Sequence, residues 1–161
     1  MAKELTFTRV RDGIIMALHK AYPTAPVFSY TEDQDVTDGS FNVVFVNARG
    51  REKLGNFRTH LATFDVIYYA DRNNVTDDIL RVSTDLPLLL ETITAPSGAK
   101  AHPEGEIQPT KQDDDTLHCV VTYAYGVMAK RVTIEDGQEL YDYDLMRRLI
   151  LHLPAEVEDN G

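Results

Sequence analysis

The sequence holds a single cysteine, Cys119, so no intrachain disulfide can brace the fold. That thiol sits inside an apolar run, where it reads as a small core residue in a reducing setting. Nowhere do 18 apolar residues follow one another, and Met1 to Arg11 mixes Lys3, Glu4, Arg9 and Arg11 with no apolar stretch. Neither a signal peptide nor a membrane-spanning helix is expected, and the Asn74-Val75-Thr76 sequon is expected to stay unglycosylated. Positive charge is scarce as well: 16 Lys and Arg stand against 26 Asp and Glu, a formal charge of −10. Sequence-independent affinity for nucleic acid comes from counterions released at Lys and Arg, so this balance argues against a general nucleic-acid binder. A partner with a basic surface fits better. Repeats are missing too, and no biased tract exceeds Asp113 to Asp115.

What remains is sufficient for a core. A chain of 161 residues can bury about 69% of its unfolded surface, and 43% of it is apolar, with eight Tyr and six Phe. One unit over residues 1–161 is the expected organisation. From Thr6 to Ala21, Val10, Ile14, Ala17, Leu18 and Ala21 recur at helical spacing. Thr6 suits an N-cap, Leu5 can staple onto Val10, and Tyr22-Pro23 ends the run. Val27 to Tyr30 reads as a short strand, and Thr31 to Gly39 as an acidic loop. Phe41 to Ala48 looks apolar on both faces, which places it inside a sheet. Phe57 to Ala70 alternates, with Phe64, Val66 and Tyr68 on one face and Thr59, Leu61, Thr63, Asp65, Ile67 and Tyr69 on the other.

A second helix is expected from Asp77 to about Ile93, capped by Thr76, with Ile79, Leu80, Val82, Leu86, Leu89, Leu90 and Ile93 as its apolar set. Pro87 should kink or divide it. An edge strand near Lys100 to Ile107 follows, then a long strand from Thr116 to Val132, with a bulge expected at Gly126. Glu135 to Asp144 reads as an acidic linker. Leu145 to Leu153 reads as a strand, with a helical reading close behind. The class these elements spell is α+β: a small mixed, mainly antiparallel sheet flanked by two helices.

Chemistry-bearing motifs are incomplete. Gly50 to Gly55 has P-loop glycine spacing but is followed by Asn56 and Phe57, where phosphate and magnesium need Lys and a hydroxyl. Asp33 to Gly39 opens like a calcium loop, yet its glycine is one position late and its twelfth residue is Val44. The five histidines show no paired metal-ligand spacing, although His60 and His118 are placed to face each other on neighbouring strands. There is no Gly-x-Ser-x-Gly elbow, and Asp113 to Asp115 reads as a solvated loop. No catalytic residue, metal or cofactor is expected, and the chain does not read as an enzyme.

The order of motifs is more specific than any one of them. Leu18-His-Lys-Ala-Tyr-Pro23, Val27-Phe-Ser-Tyr30, Phe41-Asn-Val-Val-Phe-Val46 and Arg58 to Tyr69 come first; the helix with Leu86 to Ile93, Gly98 to Ile107, Leu117 to Tyr125 and Met146 to Leu153 follow. This succession resembles the tail terminator family of tailed phages and phage-like contractile particles. It departs from that pattern at Pro87, in the proline-rich stretch after it and in the long Glu135 to Asp144 linker. The resemblance implies a structural protein of the virion tail, assembled in the host cytoplasm. It implies a homo-hexameric ring that caps the tail tube, stops its elongation and meets the neck connector. The implied partners are the tube protein, sheath and neck proteins, with DNA passing through the lumen without specific binding. The competing readings are another head-tail joining or neck-completion subunit and a soluble protein-binding module.

Arg49, Arg51, Lys53 and Arg58 fall within ten positions of an otherwise acidic chain, in the turn expected between two strands. The functional reading pairs this basic tip with Glu32, Asp33, Asp35 and Asp38 of an adjacent subunit, or with a tube subunit. The plainer reading is a solvated hairpin tip. Excess carboxylates are further expected to line a ring's lumen, where they would repel the phosphates of DNA.

Overall fold

Thr6 opens the first helix. Its side-chain oxygen accepts from the Arg9 N–H at 3.2 Å, meeting one of the donors that a helix start leaves unpaired. Helix α1 runs Phe7–Ala21 in the computed structural model, which describes residues 5–29, 36–52, 57–128, 131–133 and 139–141. Leu5 and Val10 are both buried, as a staple across the cap requires. The helix ends where the Tyr22 N–H reaches the Leu18 carbonyl at 2.8 Å and Pro23 follows.

Strands β1 (Val27–Phe28), β2 (Ser40–Glu52) and β3 (Phe57–Tyr69) precede helix α2 (Val75–Leu90). After it come β4 (Ile93–Thr94), β5 (Lys100–Pro103), β6 (Gln108–Lys111), β7 (Thr116–Met128), β8 (Arg131–Thr133) and β9 (Glu139–Tyr141). The main sheet has the order β1-β2-β3-β7-β5-β4, with β6 also paired to β7. β1 is parallel to β2, whereas β4, β5 and β6 join by antiparallel pairing. Gly98, at φ 82°, closes the turn between β4 and β5 in a backbone region that side chains disfavour. The α+β class read from the sequence is the observed one.

Contacts divide the chain into two units. The first, Met1–Arg49 with His60–Tyr125, contains both helices and most of the sheet; the second, Gly50–Thr59 with Gly126–Gly161, contains the β8–β9 hairpin. Within the first unit both helices lie on one sheet face. Phe7 of α1 stacks on His60 of β3 at 5.5 Å and meets Tyr125 of β7 edge-on, while the Tyr123 hydroxyl donates to the Leu90 carbonyl of α2 at 2.7 Å. Beneath the helices Phe64, Val66, Leu117, Cys119, Val121 and Tyr123 are buried, matched from above by Val10, Ile14, Leu18, Val82, Leu86 and Leu90. Period 2 in the strands and period 3.6 in the helices bring these side chains together.

Several expectations change. α2 is capped at Asn74 rather than Thr76, and that cap makes no side-chain bond. It ends at Leu90: Thr92, Ile93 and Thr94 are β-branched, and the last two form β4 instead of a final helical turn. Pro87 does not divide the helix, which continues through it to Leu90. The edge strand expected near Lys100 to Ile107 is the shorter β5, ending at Pro103, and β6 follows at Gln108–Lys111, where a loop was expected. β2 extends to Glu52, so Arg49 and Arg51 lie in a strand and not in the turn. Phe45 and Val46 are about half exposed, at 50% and 49%, so only the first half of β2 is buried on both faces. Glu135 to Asp144 contains β9. Gly126 continues β7 without a left-handed φ, and Leu145 to Leu153 lies outside the described residues.

α1 crosses β4 at Gly13, where a Cβ would stand 3.3 Å from both the Thr94 carbonyl oxygen and Ile93 Cδ1. Gly13→Val should therefore destabilise the fold by about 1–3 kcal/mol through overpacking. Urea denaturation checks this, and an unchanged midpoint would contradict so close an approach.

Candidate functional site

The densest polar constellation ties the helices to the sheet. Tyr68 of β3 donates to Asp78 Oδ2 in the first turn of α2 at 2.5 Å; the Asp71 N–H reaches the same oxygen at 3.0 Å, and Arg81 donates to Oδ1 at 2.6 Å. Arg81 also lies over the Tyr22 ring, 5.6 Å from its centroid, and the Tyr22 hydroxyl donates to Asp85 at 2.8 Å. Phe41 closes the circuit against Tyr22 and Tyr68. Burial alone would raise the Asp78 pKa, but the donors from Tyr68, Asp71 and Arg81 outweigh it and hold the carboxyl below its usual value. Burial, followed by the carboxylate each faces, pushes the Tyr22 and Tyr68 hydroxyls up. Both tyrosines stay neutral donors. This arrangement orients and fastens; it presents no nucleophile.

His60, His118 and Cys119 are likewise engaged within the fold. His60 is on the helix-covered face with Phe7 and Tyr125, whereas His118 bonds Asp65 at 2.8 Å on the other, so the two histidines do not face each other as expected. Cys119 is fully buried, and burial pushes its thiol up to about 12. Among the described residues no group of three or more His, Cys, Asp or Glu is placed to hold a metal. None of the described helices is long and apolar enough to cross a membrane.

The residues proposed for contacts are only partly brought into view. Arg49 and Arg51 are exposed on β2, and Arg58 is half-buried on β3. Asp38 meets Arg72 of its own chain at 3.3 Å, a surface pair of small energetic weight. Lys53, Glu32, Asp33 and Asp35 lie outside the described residues. A sequence match over residues 9–135 links this chain to the family described as phage tail terminator protein. The chain belongs to the phage tail terminator family.

One solved structure aligns to this tail terminator chain with a TM-score of 0.46 at 18% identity, covering 71% of this chain and 94% of its own. No curated protein matches it. Membership suggests a structural, non-enzymatic role in tail completion, exercised at the virion tail together with other tail components.

Sequence reading missed one surface of this tail terminator. Leu80 belongs to the apolar set of α2, yet it is 61% exposed, with Leu88 at 72% and Met16 of α1 at 49%. The buried stripe is Ile79, Val82, Leu86 and Leu90; Leu80, Thr84 and Leu88 form a second stripe at a spacing of four. Beside it a groove of about 630 Å³ is lined by Gly13, Met16, Ala17, Lys20, Leu88 and Leu89. The signal was legible as two interleaved apolar stripes where one core contact needs only one.

Ionised Asp78 stabilises the fold above about pH 4, the unfolded-chain range, and that contribution is lost as pH falls through its lower folded pKa. Asp78→Asn should therefore cost about 1–3 kcal/mol at neutral pH and less in acid. Denaturation curves at pH 7 and pH 3 check this, and an equal cost at both would contradict the charged role.

Proposed function

We propose that this chain assembles as a six-membered ring on the end of the tail tube, stops tube elongation and presents its free face to the neck connector. The family match over residues 9–135 supports this reading. The exposed Met16, Leu80 and Leu88 agree with it, because a protomer that leaves large apolar side chains in water gains by covering them with a neighbour. A ring closes through head-to-tail interfaces, in which two different surfaces of one chain meet. Arg49, Arg51, Lys53 and Arg58 supply cations for such an interface or for a tube subunit, and Glu32, Asp33, Asp35 and Asp38 supply the opposing carboxylates. Sheath subunits adjoin the ring, and DNA passes through its lumen past repelling carboxylates such as the exposed Asp113 and Asp114. On this reading residues 1–161 act as one domain.

Negative-stain images of the protein mixed with tail tubes test the proposal. Rings capping tube ends are the expected result, and a monomer indifferent to tubes would overturn it. The double variant Arg49→Glu, Arg51→Glu should keep the parent's melting temperature while capping falls on the order of tenfold. Unchanged capping would remove the basic residues from the interface.

A further inference from the structure

The edges of the main sheet are treated differently. β4 runs beneath α1 at the Gly13 crossing, so that edge is covered by a helix. At β6, the Gln112 N–H donates to the Thr116 carbonyl at 3.3 Å, and Thr110 and Gln108 stand opposite His118 and Val120. These alternate residues turn their backbone to β7, which turns Pro109 and Lys111 outward. Pro109 has no N–H to offer and Lys111 carries charge, so this edge discourages pairing.

Among the described residues β2 has no such protection beyond Asn42. The Phe41 N–H donates to the Pro26 carbonyl at 2.9 Å and the Val43 carbonyl accepts from Ser29 Oγ at 3.2 Å, so both residues turn their backbone to the β1 side, away from β3. β1 pairs only with Phe41 and Asn42. The ring contacts Phe41–Tyr68 and Phe45–Phe64 are spaced four residues apart on both strands, so no bulge interrupts the alternation between them. Alternation continued along the unbroken strand turns the N–H and C=O groups of Phe45, Asn47 and Arg49 outward. All three residues are exposed, and no described strand pairs with β2 on that side beyond Asn42. Between Ser40 and Arg51 there is neither a proline nor a carboxylate.

We infer that the Phe45–Arg49 edge of β2 receives an extended acidic segment of another tail subunit as an added strand. Its backbone pairs with the outward groups of Phe45, Asn47 and Arg49 over about 13 Å. Residues directly opposite each other share a face, so the segment sets a carboxylate against Arg49 and, four positions away, an apolar side chain against the exposed Phe45 ring. Charge decides the donor's character: the edge carries arginine in a chain of net charge −10. A second copy's β2 is the poorer donor, because between Ser40 and Arg51 it brings no carboxylate to set against Arg49. This surface goes beyond the ring reading and does not require it.

The test uses two labelled ten-residue peptides, threonine throughout except for one glutamate and one valine four positions apart, in either order. Fluorescence anisotropy with the full chain should show saturable binding by one of them, weakened about tenfold by Arg49→Glu. Hydrogen exchange at Phe45, Asn47 and Arg49 should slow about tenfold in the complex. Asn47→Pro removes an outward N–H without touching a bond to β3, and should abolish binding while the melting temperature holds. If neither peptide binds, if those three amides stay unprotected, or if folded Asn47→Pro binds like the parent, the inference is overturned. Tube capping is scored separately, so loss of one result leaves the other standing.

Discussion

One carboxylate, that of Asp78, gathers donors from the sheet, from the turn before α2 and from α2 itself. It receives the Tyr68 hydroxyl from the sheet, the Asp71 N–H from the preceding turn and Arg81 from its own helix. Arg81 then covers Tyr22 at the end of α1, and Tyr22 returns to α2 through Asp85. Hydrophobic burial is non-directional and would tolerate small slides of the helices over the sheet. The circuit fixes their register, because each member has one geometry in which its donors are met.

That fixed register explains how the two helices can cover one face yet leave a second apolar stripe outside. α2 needs Ile79, Val82, Leu86 and Leu90 for the sheet, and Asp78 holds it in the rotation that buries them. Leu80 and Leu88 are then unavoidably turned to water.

Local chemistry made most of the fold legible in the sequence. Thr6, Leu5 and Val10 announce the start of α1, and the alternation of Phe64, Val66 and Tyr68 or of Leu117, Cys119 and Val121 announces β3 and β7. What was not legible depends on distant partners. Ile93 looked like the end of a helix because its apolar side chain fits the helical stripe, but pairing with Ala101 across the Gly98 turn makes it a strand residue. β6 was hidden because Pro109 argues against a strand until its edge position is known. His60 and His118 sit on neighbouring strands, and only the alternation along each strand puts them on opposite faces. Of the candidate contact residues, Arg49 and Arg51 were legible as a cluster; that they belong to a strand was not, since Gly50 between them reads as a turn.

Cys119 was first of interest for what it rules out. Sealed at zero exposure in the middle strand of the first unit's core, with its thiol raised to about 12, it cannot react with a neutral-pH thiol reagent while β7 stays in place. The same isolation makes it useful. The chain carries its own silent reporter of core opening, and a cysteine introduced on the surface would be the sole site that a maleimide reaches in the native protein. Dyes and crosslinkers can thus be placed on an assembled particle one residue at a time, with no need to remove the native thiol and disturb the packing around it.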